Sequence, residues 1–340
     1  MNRRDFLQTA GSVATGFAFS NQEHLVAEDM RWRTFEVTTQ IVVLKPFGTT
    51  LVWVPAALIS STPYQRTLAD TFHCEGSASK TVVDRTEALG MIVAEFPPGT
   101  KPVVTVTSRV ATRDWAVDLS MRGKAPSASA AELKNYLQPT RLLPTDGIVK
   151  ETADQITRTC TTDAGKARAI YEWIVENTYR NPKTRGCGIG DIARAAGLPA
   201  RDVYGIRVAK SETGYKSLGT SSDNITKAQH CRAEVYLSEY GWVPVDPADM
   251  RKVMLEEPPG NRSLTDEMVK KACARLFGSW EMNWMAYNFA HDVALPGSSG
   301  KPLGFLMYPQ AETAHGRIDC LDPVNFKYEI TSREITPTRG

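Results

Sequence analysis

Residues 229–247 constrain this chain more than any other stretch. Gln229 to Leu237 (QHCRAEVYL) and Gly241 to Pro247 (GWVPVDP) both alternate in polarity, and only Ser238, Glu239 and Tyr240 separate them. A period of two over two adjoining runs predicts an antiparallel hairpin. Cys231, Ala233, Val235 and Leu237 form its apolar set and are expected to face the core. His230, Arg232, Glu234 and Tyr236 then point the other way. On the return strand Trp242, Pro244 and Asp246 share one face, and Val243 and Val245 share the other. An odd-length turn places His230 and Asp246 on the same face, opposite each other or one rung apart. A carboxylate at that distance fixes the tautomer of an imidazole and stabilises the imidazolium. A structural His–Asp hydrogen bond would look the same at this level. Cys231 follows His230 directly in the strand, so its thiol is turned away from the imidazole.

Upstream of the hairpin lie RGCGIGD (Arg185 to Asp191) and GLPAR (Gly197 to Arg201), with a short helix predicted over Ile192 to Ala196, stopped by Gly197 and Pro199. GLPAR, QHCRAEVYL and GWVPVDP in this order resemble the transglutaminase-like superfamily, and more narrowly its exported bacterial members, over at least residues 150–255. The resemblance implies a papain-related domain and Cys-His-Asp acyl transfer on peptide or glutamine-type amides. In that scheme a thiolate attacks the carbonyl, and an amine or water resolves the thioester. His230 would be the base, Asp246 its orienter and Cys187 the thiol candidate. No metal or cofactor is implied, and the partner would be a peptide or protein substrate.

Cys187 departs from the family spacing. The family nucleophile heads a helix well upstream of the Arg that Arg194 matches, whereas Cys187 precedes Arg194 by only seven residues. At about 1.5 Å of rise per helical residue the shortfall amounts to several ångströms. The segment that normally carries the nucleophile is therefore expected to be missing, with Cys187 out of reach of His230. Two function classes follow: a cysteine transamidase or amidase/protease that uses Cys187 through a rearranged helix start, or an inactive relative that binds peptide or protein.

The rest of the chain sets the fold class. Arg33 to Leu44, Thr49 to Leu58, Ala88 to Phe96 and Lys101 to Thr112 are rich in Val, Ile, Thr and aromatics, which predicts antiparallel strands. The expected organisation is α+β: a β-sandwich-like domain over 28–122, a linker over 123–149, and a transglutaminase-like domain over 150–340 that includes a C-terminal extension. Thr162-Asp163 can cap a helix over Ala164 to Asn177, whose core face would be Ala167, Ile170, Tyr171, Ile174 and Val175. Lys210 to Lys227 is polar and reads as a mobile loop over the site. A formal charge of +2 argues against a nucleic-acid partner. The six cysteines contain no CxxC pair, so metal binding is not expected.

Met1 to Ser20 (MNRRDFLQTAGSVATGFAFS) resembles a twin-arginine export signal, with the pair at Arg3-Arg4 and Phe6-Leu7 leading into a mild apolar run. Residues 1–27 are read as the signal, with cleavage after Ser20 or Ala27, and the mature chain as periplasmic or secreted with no membrane span. Replacing Arg3 and Arg4 by Lys is expected to strand the protein in the cytoplasm. Fractionation tests this, and unchanged periplasmic recovery would refute it.

Overall fold

The computed structural model describes residues 32–121, 123, 128–178 and 189–335. Residues Arg31–Gly340 form one compact unit, and the fold is α+β. The expected N-terminal strands appear as Arg33–Val43, Thr50–Pro55, Leu89–Phe96 and Val103–Thr112. Two further strands, Gln65–His73 and Ala78–Asp84, are largely solvent-facing and so lack the apolar alternation that reveals the others. These six strands fall into two antiparallel sheets, and both are completed from the far end of the sequence. Phe326–Glu334 pairs with Arg33–Val43, and Gln310–Thr313 pairs with Thr50–Pro55. Residues expected in a separate domain over 150–340 thus supply strands to the sheets formed by residues 33–112. Ile41, Val43, Val52, Val54, Ile92, Phe96, Val104 and Phe326 pack together between the two sheets.

A third sheet positions the hairpin. Its order is Gly241–Val245, Gln229–Leu237, Ala200–Arg207 and Trp284–Asn288, antiparallel throughout. Helices cover one face. Ala200, Ala233, Val235, Leu237, Val243 and Val245 from the sheet meet Ile170, Ile174, Ile192, Met250, Val253 and Val269 from the helices. Asp163–Asn177 is capped by Thr162, whose hydroxyl accepts from the Gly165 amide at 3.1 Å, and its buried residues are the five read from the sequence. Pro247–Glu256 and Glu267–Arg275 are helices that the sequence reading did not anticipate. Asp246-Pro247 and Asp266-Glu267 carry the signals that could have found them, a capping carboxylate followed by Pro or Glu.

The opposite face of this sheet is polar in sequence yet buried. Arg201, Arg207, Arg232 and Glu234 are all covered, against a layer that includes Tyr64, Tyr136, Trp280, Trp284 and Phe289. Burial of these charges requires partners. Arg201 Nε donates to Glu234 Oε2 at 2.7 Å, and the guanidinium lies 4.1 Å from the ring centroids of both Trp242 and Phe289. Glu132, on the helix Ala130–Asn135, accepts from Arg201 at 3.3 Å and from Trp242 Nε1 at 3.1 Å, tying the expected linker region to the sheet. Among the described residues no helix is long and apolar enough to cross a membrane.

Gly205 lets this layer close over the sheet. A Cβ there would lie 2.3 Å from both the Met285 carbonyl oxygen and the Trp284 ring. Gly205→Ala is expected to destabilise the fold by roughly 3 kcal/mol, because backbone and a packed indole both have to move. Denaturant unfolding checks it, and a change below about 0.5 kcal/mol, the level of an ordinary surface substitution, would contradict the packing.

Candidate functional site

His230 sits near the start of its strand, paired with Gly205 on the neighbouring strand. Its carbonyl oxygen accepts from Trp284 Nε1 at 2.9 Å, so the backbone under the imidazole is held from the buried side. Asp246 lies one residue past the Gly241–Val245 strand and caps the helix Pro247–Glu256. Its Oδ1 accepts from the Asp249 amide at 2.9 Å. The ladder pairs Val245 with Ala233; one step further, Asp246 stands across from Arg232 and one rung from His230. There the imidazole Nε2 and Asp246 Oδ2 are 2.8 Å apart.

Three charged residues that the sequence reading did not assign complete the arrangement. Asp249, one helical turn after the cap, brings its Oδ1 to 3.2 Å from the same His230 Nε2. Arg207, on the Ala200–Arg207 strand, bonds that Asp249 oxygen through Nη2 and the Leu218 carbonyl through Nη1. Arg232 places Nε 3.5 Å from Asp246 Oδ2, donates from Nη1 to the Glu281 carbonyl at 2.9 Å and lies over the Trp284 ring. All four partners are buried, while His230 keeps 14% of its side chain exposed and so faces the surface. Arg207 ends a strand whose sequence does not show which helix it will meet. For Arg232 the even spacing from His230 was the available hint.

The electrostatics follow from this packing. Burial raises the Asp246 carboxyl above its ordinary range, the Asp249 charge adds to this, and His230 and Arg232 oppose it. Burial also acts on Asp249, but Arg207, with His230 and Arg232, outweighs it and holds that carboxyl well below the ordinary range. One donor atom each from His230, Asp246 and Asp249 lie within 4.8 Å of one another, close enough to hold a metal ion. Two guanidinium groups already neutralise these carboxylates, so the set fits an ion-pair network better than a cation site.

Cys187 lies outside the described residues. Cys231 is disulfide-bonded and carries no thiol; it packs with Tyr204 and Ile206 on the face away from His230, as the alternation requires. Cys74, Cys160, Cys273 and Cys320 are thiols. Burial pushes the Cys74 and Cys273 thiols up, away from thiolate. The helix Gly190–Ala195 is six residues long and begins after Ile189, with no side-chain cap. Arg194 anchors it by donating to the carbonyls of Ala200 at 2.8 Å and Gln138 at 2.7 Å. The expected mobile loop over 210–227 is pinned at Leu218, whose carbonyl also accepts from Asn283 at 3.0 Å.

A second buried polar group lies on the helix-covered side of the sheet. Tyr204 Oη and His291 Nδ1 are 3.3 Å apart, and His291 Nε2 is 3.9 Å from Asp202 Oδ2. Burial pushes Asp202 up to about 7, opposed by Arg194 and reinforced by Asp191. Burial and the Arg194 charge push His291 down to about 4. No local signal in the sequence marks His291, because its partners lie on a distant strand.

Residues 190–247 match the family model of the transglutaminase-like superfamily. An uncharacterized protein of Haemophilus influenzae is 32% identical over 342 residues, covering 88% of this chain and 91% of its own length. A crystal structure of a candidate cysteine protease from Cytophaga hutchinsonii superposes with a TM-score of 0.50 at 12% identity, covering 91% of this chain and 93% of its own, a likeness of fold.

Asp202 yields a pH prediction. Its folded value lies above its ordinary 3.8, so the folded chain binds the proton more tightly than the unfolded one. The stability this provides is fully present below 3.8 and is lost as pH rises through about 7. Asp202→Asn is therefore expected to raise the melting temperature at about pH 8 relative to the unaltered chain, and to change it little at about pH 4. An equal shift at both pH values in thermal melts would refute the assignment.

Proposed function

The chain belongs to the transglutaminase-like superfamily, and on that footing we propose that it carries a cysteine-type acyl-transfer centre for peptide or side-chain amides. The observation that carries this reading is the 2.8 Å contact between His230 Nε2 and Asp246 Oδ2 at the rim of a buried charge network. Asp246 holds the imidazole with Nε2 inward, which leaves Nδ1 as the nitrogen that takes a proton from a thiol. The thiolate attacks the amide carbonyl, and His230 returns the proton to the leaving amine. Water or a second amine then resolves the thioester. Cys187 is the thiol candidate by sequence, and the reaction needs it in the reduced form. The disulfide at Cys231 supports placement in an oxidising compartment, in keeping with export.

A second reading, a relative that binds peptide or protein without turnover, is favoured by the brevity of the helix Gly190–Ala195. Thiol labelling at neutral pH separates the two, run with and without reductant because Cys231 is oxidised. In the reduced protein, acyl transfer predicts rapid modification of Cys187 that falls at least about tenfold in His230→Ala, where no base remains to form the thiolate. Equal labelling of Cys187 in both proteins would rule out an activated thiolate and leave the binding reading.

A further inference from the structure

Asp249 has no place in a Cys-His-Asp scheme, yet its Oδ1 lies 3.2 Å from His230 Nε2, beside the 2.8 Å contact from Asp246. We propose that Asp249 is a positioning residue, a second carboxylate whose charge beside His230 Nε2 favours the proton there, held in place by Arg207. The inference rests on the reading of His230 as the base and names what keeps that base in its working tautomer.

A neutral imidazole carries one N–H, and an ionised carboxylate can only accept. With two carboxylate oxygens around Nε2, the proton belongs there. The other tautomer would turn a nitrogen lone pair towards both oxygens. A single carboxylate leaves that preference dependent on one contact, whereas the Asp246 hydrogen bond and the Asp249 charge, on separate anchors, share it. The anchors differ in kind. Asp246 is fixed as a helix cap, through the Asp249 amide. Asp249 is fixed by Arg207, whose guanidinium is itself tied to the Leu218 carbonyl. The rival explanation is that Arg207 and Asp249 merely join strand to helix, with His230 a bystander.

The tautomer of His230 distinguishes these, read by long-range 1H–15N NMR on the full chain labelled at histidine. The measurement is made at a pH where the ring is neutral, and His230 is assigned by its loss in His230→Gln. Asp246→Asn is expected to keep the Nε2–H signature, because Asp249 remains. Asp246→Asn combined with Asp249→Asn is expected to lose it. If the single variant loses it as fully as the double, or if the double keeps it, the proposal is overturned. Should the double variant fail to fold, Asp249→Leu with Arg207→Met in the Asp246→Asn background replaces the ion pair by apolar groups, a change buried pairs often tolerate. The same loss is expected there, and retention overturns the proposal. Because the tautomer is read without turnover, a failure of acyl transfer would leave this result standing, and the reverse also holds.

Discussion

Two carboxylates and two guanidinium groups are buried around one edge of His230. Any one of them alone would cost several kcal/mol to desolvate, so each depends on the others being in place. The four come from three elements: the Ala200–Arg207 strand, the Gln229–Leu237 strand, and the junction of Gly241–Val245 with the helix that follows. The network can form only once all three have docked. The position of the imidazole is therefore a property of the assembled sheet.

The aromatic layer over the polar face of that sheet serves the same end. Trp284 touches the site twice, through its indole N–H on the His230 carbonyl and through its ring beneath Arg232. It reaches both because Gly205 has no side chain. Arg201 and Glu234 repeat the pattern further along the same face, with Glu132 joining them to the helix Ala130–Asn135. Charged side chains held from several directions move little, and the role proposed above for His230 would need that rigidity.

The disulfide at Cys231 and the histidine beside it show how alternation divides labour in one strand. Cys231 faces the apolar side with Tyr204 and Ile206, while His230 faces the charged side. Neighbours in sequence are thereby kept out of each other's chemistry.

Alternation and capping are local properties, which is why they could be read from the sequence. The hairpin, the shared face of His230 and Asp246, the buried face of Asp163–Asn177 and the strands of residues 33–112 all follow from the period of two or of three to four. The partners of those elements do not. Phe326–Glu334 joins Arg33–Val43 across nearly the whole chain, and nothing in either strand names the other. The polar set of the hairpin read as an outward face, yet Arg232 and Glu234 are buried, because their counter-charges on other elements make burial tolerable. Asp249 and Arg207 were invisible as site residues for the same reason. Their role depends on a contact between a strand end and a helix start, and only tertiary packing brings those two within hydrogen-bonding distance.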